Sequence, residues 1–339
     1  MRHNILILIC TIFALLFLHL SSQLFLFFRM PLVSKATSTS IKVYPSESIQ
    51  AVAAELYRQK LIANPTFFAW MYSLSSQHLH FGEYDIKYPI TAHRLLKNML
   101  QGVGLVKHRL TIVEGWTFND IRLALSRDTN LSQTLFDQTG QAIMTSLKSP
   151  ETNPEGLFYP NTYFFTWNNT DLSILKTAYQ KMQTILQKEW TNRAPNLPYQ
   201  NAYQALIVAS LIERETALNA EKPEIASVII NRLAQHMPLQ IDPTVLYGLK
   251  QPYGATITKK DLQSKTPYNT YVINGLPPTP ICMPSESSIN AALHPATTDY
   301  LYYVADGKGG HTFSKTYRAH EKAVDAYRDQ GSGIGKIME

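Results

Sequence analysis

The sequence predicts an α+β protein in three parts: an N-terminal transmembrane helix, a small α+β module, and a mixed α+β domain carrying a candidate catalytic Glu on a helix. Three observations predict it. The run from Ile5 to Phe28 is uncharged, mostly apolar and long enough to span a bilayer. Residues 41–102 read as strand, helix, helix, strand and a further helix, the order of helices packed on a two-stranded sheet. Beyond 103, helical and strand patterns are mixed with a Pro-rich irregular stretch. The expected boundaries are 1–30 for an N-terminal tip and anchor, 31–40 for a Ser/Thr-rich linker, 41–102 for the module and 103–339 for the large domain.

The anchor competes with a cleaved signal peptide, but no convincing small-x-small cleavage pattern follows the apolar core. Arg2 on one side and Arg29 and Lys35 on the other leave the positive-inside rule mute on orientation. In the module, Ile41–Tyr44 is a strand. Glu47–Gln59 has helical period with Ile49, Val52, Leu56 and Tyr57 on one face and Ser46 as N-cap. Pro65–Tyr72 is a short helix, Phe81–Ile86 a strand, and Thr91–Gln101 a helix closed by Gly102.

In the large domain, Leu110–Val113 is a strand, and Thr117–Leu125 and Leu131–Leu147 are helical. Glu155–Phe165 is an aromatic loop or strand. Asp171 caps an amphipathic helix to about Trp190, with Leu175, Tyr179, Met182, Ile185 and Leu186 on one face. A further helix runs from about Tyr199 to Ala217, and Pro223 opens another. Met237–Pro284 is loop-rich, and Ser285 caps a helix to Leu293. Tyr300–Ala305 and His311–Phe313 form a hairpin around Asp306–Gly310, and Thr316 caps a last helix to about Tyr327.

Composition narrows the function. The 339 residues are 45% hydrophobic with net charge +6, and Lys and Arg are spread along the chain instead of bunched, which argues against a dedicated nucleic-acid binder. The 19 Tyr suit sugar or peptide grooves, although core and hairpin packing uses Tyr too. Cys10 and Cys282, far apart, give neither a disulfide framework nor a Cys-based zinc site. His320-Glu321 lacks the second His of a zincin helix, Gly307–Gly310 is a hairpin turn and not a phosphate loop, and no G-x-S-x-G elbow occurs.

The most informative stretch is Leu206–Thr216. At about 100° per residue, Ile207, Val208, Leu211 and Ile212 share one side of the helix with Glu215 near the middle, while Glu213 falls nearly opposite. Desolvation disfavours a charged carboxylate, and a Glu protonated near neutral pH is a general acid. The bland alternative is a Glu at a helix end, facing solvent or a partner Arg. In the same half, Leu239–Gly248, Pro267–Tyr271 and Gly275–Pro278 bring amides, hydroxyls and aromatic rings into irregular backbone, chemistry that serves either turns or a sugar groove.

Glu213-Arg-Glu-Thr216, Ser227–Leu233, Leu239–Gly248, Tyr268–Tyr271, Gly275–Pro278 and Val304–Phe313, in that order, resemble the signatures of the YceG/MltG-type endolytic murein transglycosylases, and Glu155–Tyr163 and the N-terminal anchor extend the likeness. The resemblance implies a LysM-like module after the anchor and a catalytic domain whose essential Glu, in the E-x-E-T motif, is Glu215. It also implies substrate-binding roles for Gln240, Asp242, Thr244, Tyr247, Tyr268, Asn269, Thr270, Tyr271, His311, Tyr159 and Asn161. Asn161 stands where the family often has Asp, and Ile241 where Gln-Thr-Asp-Pro has Thr, so no acidic role is expected at Asn161. The resemblance further implies a lyase in the inner membrane with its catalytic domain in the periplasm. It would act on peptidoglycan glycan strands without metal, cofactor or nucleic acid, with peptidoglycan synthases as candidate partners. The alternatives are a lysozyme-like hydrolase with Asp242 as second carboxylate, and a non-catalytic wall-binding scaffold.

Overall fold

An apolar run with no polar side to turn inward folds as one helix, α1 (Arg2–Phe28), in the computed structural model, which describes residues 2–32 and 38–331. His3–Phe28 is long and apolar enough to cross a membrane, and Leu6, Phe13 and Phe17 are exposed along it. Membrane spans and signal segments share that pattern. The chain divides into two units. One comprises Met1–His108, Asn130–Ser132 and Phe164–Asn169; the other comprises Arg109–Thr129, Gln133–Tyr163 and Thr170–Glu339.

In the first unit, α1 is followed by β1 (Pro31–Leu32), β2 (Ser38–Val43), α2 (Ile49–Arg58), α3 (Pro65–Ser73), β3 (Gly82–Lys87), β4 (Ile90–Thr91) and α4 (Ala92–Gln101). Strands β2 and β3 pair antiparallel, with Ile41 opposite Tyr84 and Val43 opposite Gly82. This alternation turns Ile41, Val43, Tyr84 and Ile86 into a core closed by Val52, Leu56, Phe68, Leu95 and Met99. Within the expected linker, Pro31–Leu32 pairs with Ile90–Thr91 and Ser38–Ser40 belongs to β2; residues 33–37 lie outside the described residues. The cap of α2 is Ser48, which accepts from the Ala51 N–H, and not Ser46, which sits in the left-handed region at φ 61°. Val52 and Leu56 face inward as expected, whereas Tyr57, expected on the same face, is exposed. Gly102 closes α4 as expected, and Thr91, expected as its first residue, is its N-cap.

The second part of the chain contains β5 (Lys107–Ile112), α5 (Phe118–Arg127), α6 (Gly140–Ser146), β6 (Asn161–Thr166), α7 (Asp171–Thr191), α8 (Ala202–Glu215), α9 (Lys222–Ala234), α10 (Asp242–Gly248), α11 (Lys259–Leu262), α12 (Glu286–Leu293), β7 (Tyr302–Ala305), β8 (His311–Ser314) and α13 (Tyr317–Gly331). Strand β5 pairs with β6, and β7 pairs with β8. Helix α8 lies at the centre, packed on by α7, α9 and α12, so every residue from Ala205 to Ile212 is buried. A helix apolar all round belongs in such a place. Truncating Leu206 or Leu211 to Ala would cost about 2–5 kcal/mol.

Two expectations fail here for one reason. Leu131–Leu147 is not a continuous helix; only Gly140–Ser146 is helical. Asp171 does not cap α7, because Thr170 does, accepting from the Ser173 N–H. The buried Asp171 carboxylate instead accepts the N–H groups of Thr134 and Leu135 and the Thr134 hydroxyl. Those backbone donors are thereby satisfied without a helical turn.

Candidate active site

Four segments of the second unit meet at the C-terminal end of α8. Ser210 fastens the helix to the segment before α12: its hydroxyl accepts from the Ile281 N–H, and its carbonyl faces the Cys282 thiol. Beyond Glu215 the chain leaves the helix at Thr216, whose hydroxyl takes the Leu218 N–H and donates to Glu221. Glu221 also accepts the His311 N–H and faces His311 Nδ1, both at 2.8 Å. Gly310 permits this approach, since a Cβ there would strike the Glu221 carboxylate. The β7–β8 hairpin is thereby fixed beside α8.

Glu215 is the last residue of α8 and is half-buried. Desolvation by the packed protein around it, reinforced by the negative charge of Asp242, raises its pKa to about 7 against the opposing hydrogen bond from the Tyr303 hydroxyl. Tyr303 lies on β7, its ring flanked by His311 and Phe313 at centroid distances of 5.4 and 6.0 Å. Asp242 is exposed at the start of α10 and accepts from the Tyr271 hydroxyl at 2.5 Å. Arg232 of α9 joins the segment before β7 to the segment before α10. Its Nε donates to the Leu301 carbonyl at 2.6 Å, and its Nη1 reaches the Pro238 and Leu239 carbonyls and the Gln240 side-chain oxygen, each at 3.0 Å.

Glu213 has a different environment. Its Oε2 accepts from the Ser285 N–H and hydroxyl, the Ser288 hydroxyl and the buried Lys222 ammonium, the last at 3.4 Å. Burial alone would raise its pKa, but the hydrogen bonds from Ser285 and Ser288 and the Lys222 charge outweigh it and hold the group below the usual carboxylate value. Two residues apart, one carboxylate is kept ionised and the other is poised to carry a proton near neutral pH.

The model of the YceG-like family matches residues 41–326. The chain belongs to the YceG-like family. An endolytic murein transglycosylase of Bacillus subtilis (strain 168) is 30% identical over 309 residues, covering 86% of this chain and 85% of that protein. A protein of the same description from Streptococcus pneumoniae serotype 2 (strain D39 / NCTC 7466) is 25% identical over 320 residues; the match covers 84% of this chain but 57% of that longer protein. The crystal structure of a yceG-like protein from Listeria monocytogenes superposes with a TM-score of 0.55 at 30% identity, covering 84% of this chain and 98% of the other.

Within this YceG-like fold the residues singled out by sequence fall into four groups. Glu215, Asp242 and Tyr271 cluster, with Gln240 joined through Arg232, and His311 through Tyr303 and Glu221. Thr244, Asn269 and Thr270 are fully buried. Asn269 donates to the Leu262 and Ser264 carbonyls, and Thr244 and Thr270 bond each other while Thr270 accepts the Ile241 N–H, so their polar groups hold the loop. Tyr247 and Tyr268 stack edgewise, and Tyr247 donates to Glu155 at 3.0 Å. Tyr159 bonds Glu286 under the Lys181 ammonium, and Asn161 is exposed at the start of β6; no contact described for either reaches Glu215. Sequence reasoning did not select Tyr303, Arg232 or Glu155. Glu155 is buried, and desolvation raises its pKa to about 7 in spite of hydrogen bonds from Tyr247 and the Phe118 N–H. Arg232 and Glu155 stand inside family-like motifs and Tyr303 directly precedes one, but nothing in a linear pattern pairs residue 303 with 215.

Proposed function

We propose that the chain is a membrane-anchored endolytic peptidoglycan lytic transglycosylase, cleaving MurNAc–GlcNAc β-1,4 bonds within glycan strands and terminating nascent ones. The observation that carries the chemistry is the environment of Glu215, a carboxyl with a pKa of about 7 whose neighbours are the Tyr303 hydroxyl and the Asp242 carboxylate, the latter held by Tyr271. Family membership and the names of the relatives supply the substrate class. Protonated Glu215 gives its proton to the glycosidic oxygen, which leaves as the GlcNAc 4-hydroxyl while positive charge develops at C1 of the muramoyl residue. The muramoyl 6-hydroxyl then closes on C1 and returns its proton to the Glu215 carboxylate. The ring closure is intramolecular, with the effective molarity such geometry brings, and no water is consumed. Tyr303 and Asp242 act oppositely on the proton: the hydroxyl favours the carboxylate, and the negative charge favours the acid. Asp242 also favours the cationic transition state. In this reading Gln240, Tyr271 and His311 orient sugar and peptide groups, while Thr244, Asn269 and Thr270 build the loop that presents them.

The α1 span would hold the enzyme in the inner membrane with the rest of the chain in the periplasm. The module after it would be LysM-like and grip glycan, and peptidoglycan synthases are candidate partners. Digestion of purified sacculi with the full chain, followed by mass spectrometry of the ends, tests the reaction: 1,6-anhydromuramic ends are expected. One observation favours a second reading. Asp242 is near enough to Glu215 to raise its pKa and could serve a lysozyme-like hydrolase, whose products would carry reducing muramic ends and one more water. Glycan binding with no cleavage would leave the scaffold.

A further inference from the structure

Tyr253 has no part in the proton transfers at Glu215. It is 60% exposed, yet it is held in place. Its hydroxyl donates to the Arg214 carbonyl at 2.8 Å, and the Arg214 guanidinium carbon lies 4.4 Å from its ring centroid. Arg214 is itself seated over Gly115, where a Cβ would stand 3.7 Å from its Nη1. The hydroxyl and one face of the ring are therefore held against Arg214 in the last turn of α8, which leaves the other face as the one available to a ligand. The anchoring residue immediately precedes Glu215 in the chain, and the Glu215 charge reaches the Tyr253 phenol. A rigid aromatic face open to solvent beside a proton donor has a use when the substrate is a sugar. Pyranose rings present a face of C–H bonds, and the negative face of an aromatic ring attracts their positive ends. Holding the ring in advance removes the ordering cost of the contact.

We propose that Tyr253, braced by Arg214, is the stacking platform of a sugar subsite next to Glu215, taking the C–H face of an N-acetylated pyranose. This rests on the glycan-cleaving reading and identifies where one of the sugars flanking the cut is held. The test uses the full chain in detergent with Glu215→Gln, so that binding is read without turnover. The probes are an N-acetylglucosamine hexamer and peptide-free glycan strands, titrated calorimetrically. Tyr253→Ala is expected to weaken binding about tenfold, whereas Tyr253→Phe and Tyr253→Trp, which keep a face, stay within about threefold. In the active chain, Tyr253→Ala should raise KM and leave kcat nearly unchanged. If Tyr253→Ala does not fold, Tyr253→Leu supplies the apolar variant without a ring. Undiminished binding by the Ala or Leu variant overturns the platform. So does equal loss in Phe and Ala, which would reduce Tyr253 to a cap on the Arg214 carbonyl. If the Glu215→Gln parent binds neither probe, the glycan reading itself falls and the subsite with it.

Discussion

Glu213 and Glu215 leave the same helix end into two unlike pockets. Around Glu213, two serines, a backbone N–H and a buried Lys222 converge on one carboxylate oxygen. Around Glu215 there is a tyrosine hydroxyl, and the charge that reaches it from Asp242 is negative. Burial pushes both pKa values up, and the number and charge of the donors decides the outcome. A raised carboxyl pKa thus comes from withholding donors from a group that the surrounding protein desolvates.

The largest expected effect comes from removing the proton itself. Glu215→Gln should lower cleavage of sacculi by about 10²–10⁴-fold with an unchanged melting temperature. Full activity in a folded Gln variant would end the assignment. Glu213→Gln should break the comparison differently. It leaves Lys222 buried without its carboxylate, at about 3–5 kcal/mol of stability, while activity per folded molecule falls far less than for Glu215→Gln. A Glu213→Gln variant that melts normally and cleaves nothing would exchange the two roles.

Finer changes act on the proton affinity of Glu215. Cleavage by the unaltered chain should decline as pH rises through about 7, where Glu215 loses its proton. Tyr303→Phe removes a hydrogen bond that favours the carboxylate. It should cost about tenfold in rate and move that decline to higher pH. Asp242→Asn removes the charge that favours the acid. It should move the decline to lower pH and weaken cleavage without changing the anhydro product. Shifts in the same direction for both variants would mean that neither neighbour sets the proton affinity. The smallest effect is expected at Glu155. Its folded-state pKa of about 7 exceeds its unfolded value of 4.5, so the native state holds a proton the unfolded chain releases, and its contribution to stability falls as pH rises through that interval. Glu155→Gln mimics the protonated form and should gain about 1–3 kcal/mol over the parent at pH 8 relative to pH 4. Melting curves at the two pH values check it.

Much of this site could be read from the sequence, and the boundary of legibility has a physical cause. Helical period put Glu215 among Ile207, Val208, Leu211 and Ile212, and those residues are buried. The same period set Glu213 apart on the far side, yet α8 has no wet side, and Glu213 is enclosed as well. Periodicity therefore reached the residue, while the partners explain it. Asp242, Tyr271 and Gln240 were visible because they lie in dense polar motifs. Tyr303, Arg232 and Tyr253 were not, because their roles depend on contacts such as Arg232 to Leu301 or Tyr253 to Arg214, which span tens of residues. Fold legibility failed where a side chain replaced local bonding, as Asp171 does for Thr134 and Leu135.

The join between α1 and the first unit has a mechanical consequence. Gln23 accepts from Asn64, Phe27 is buried among Phe67, Phe68 and His93, and Pro31–Leu32 is zipped to Ile90–Thr91. The end of the apolar helix is part of a folded core, so there is no swivel at that point. A tilt or rotation of the helix is handed to the β2–β3 layer as one rigid movement, and the height of that layer above the end of the apolar span is set by packing instead of by the slack of a tether.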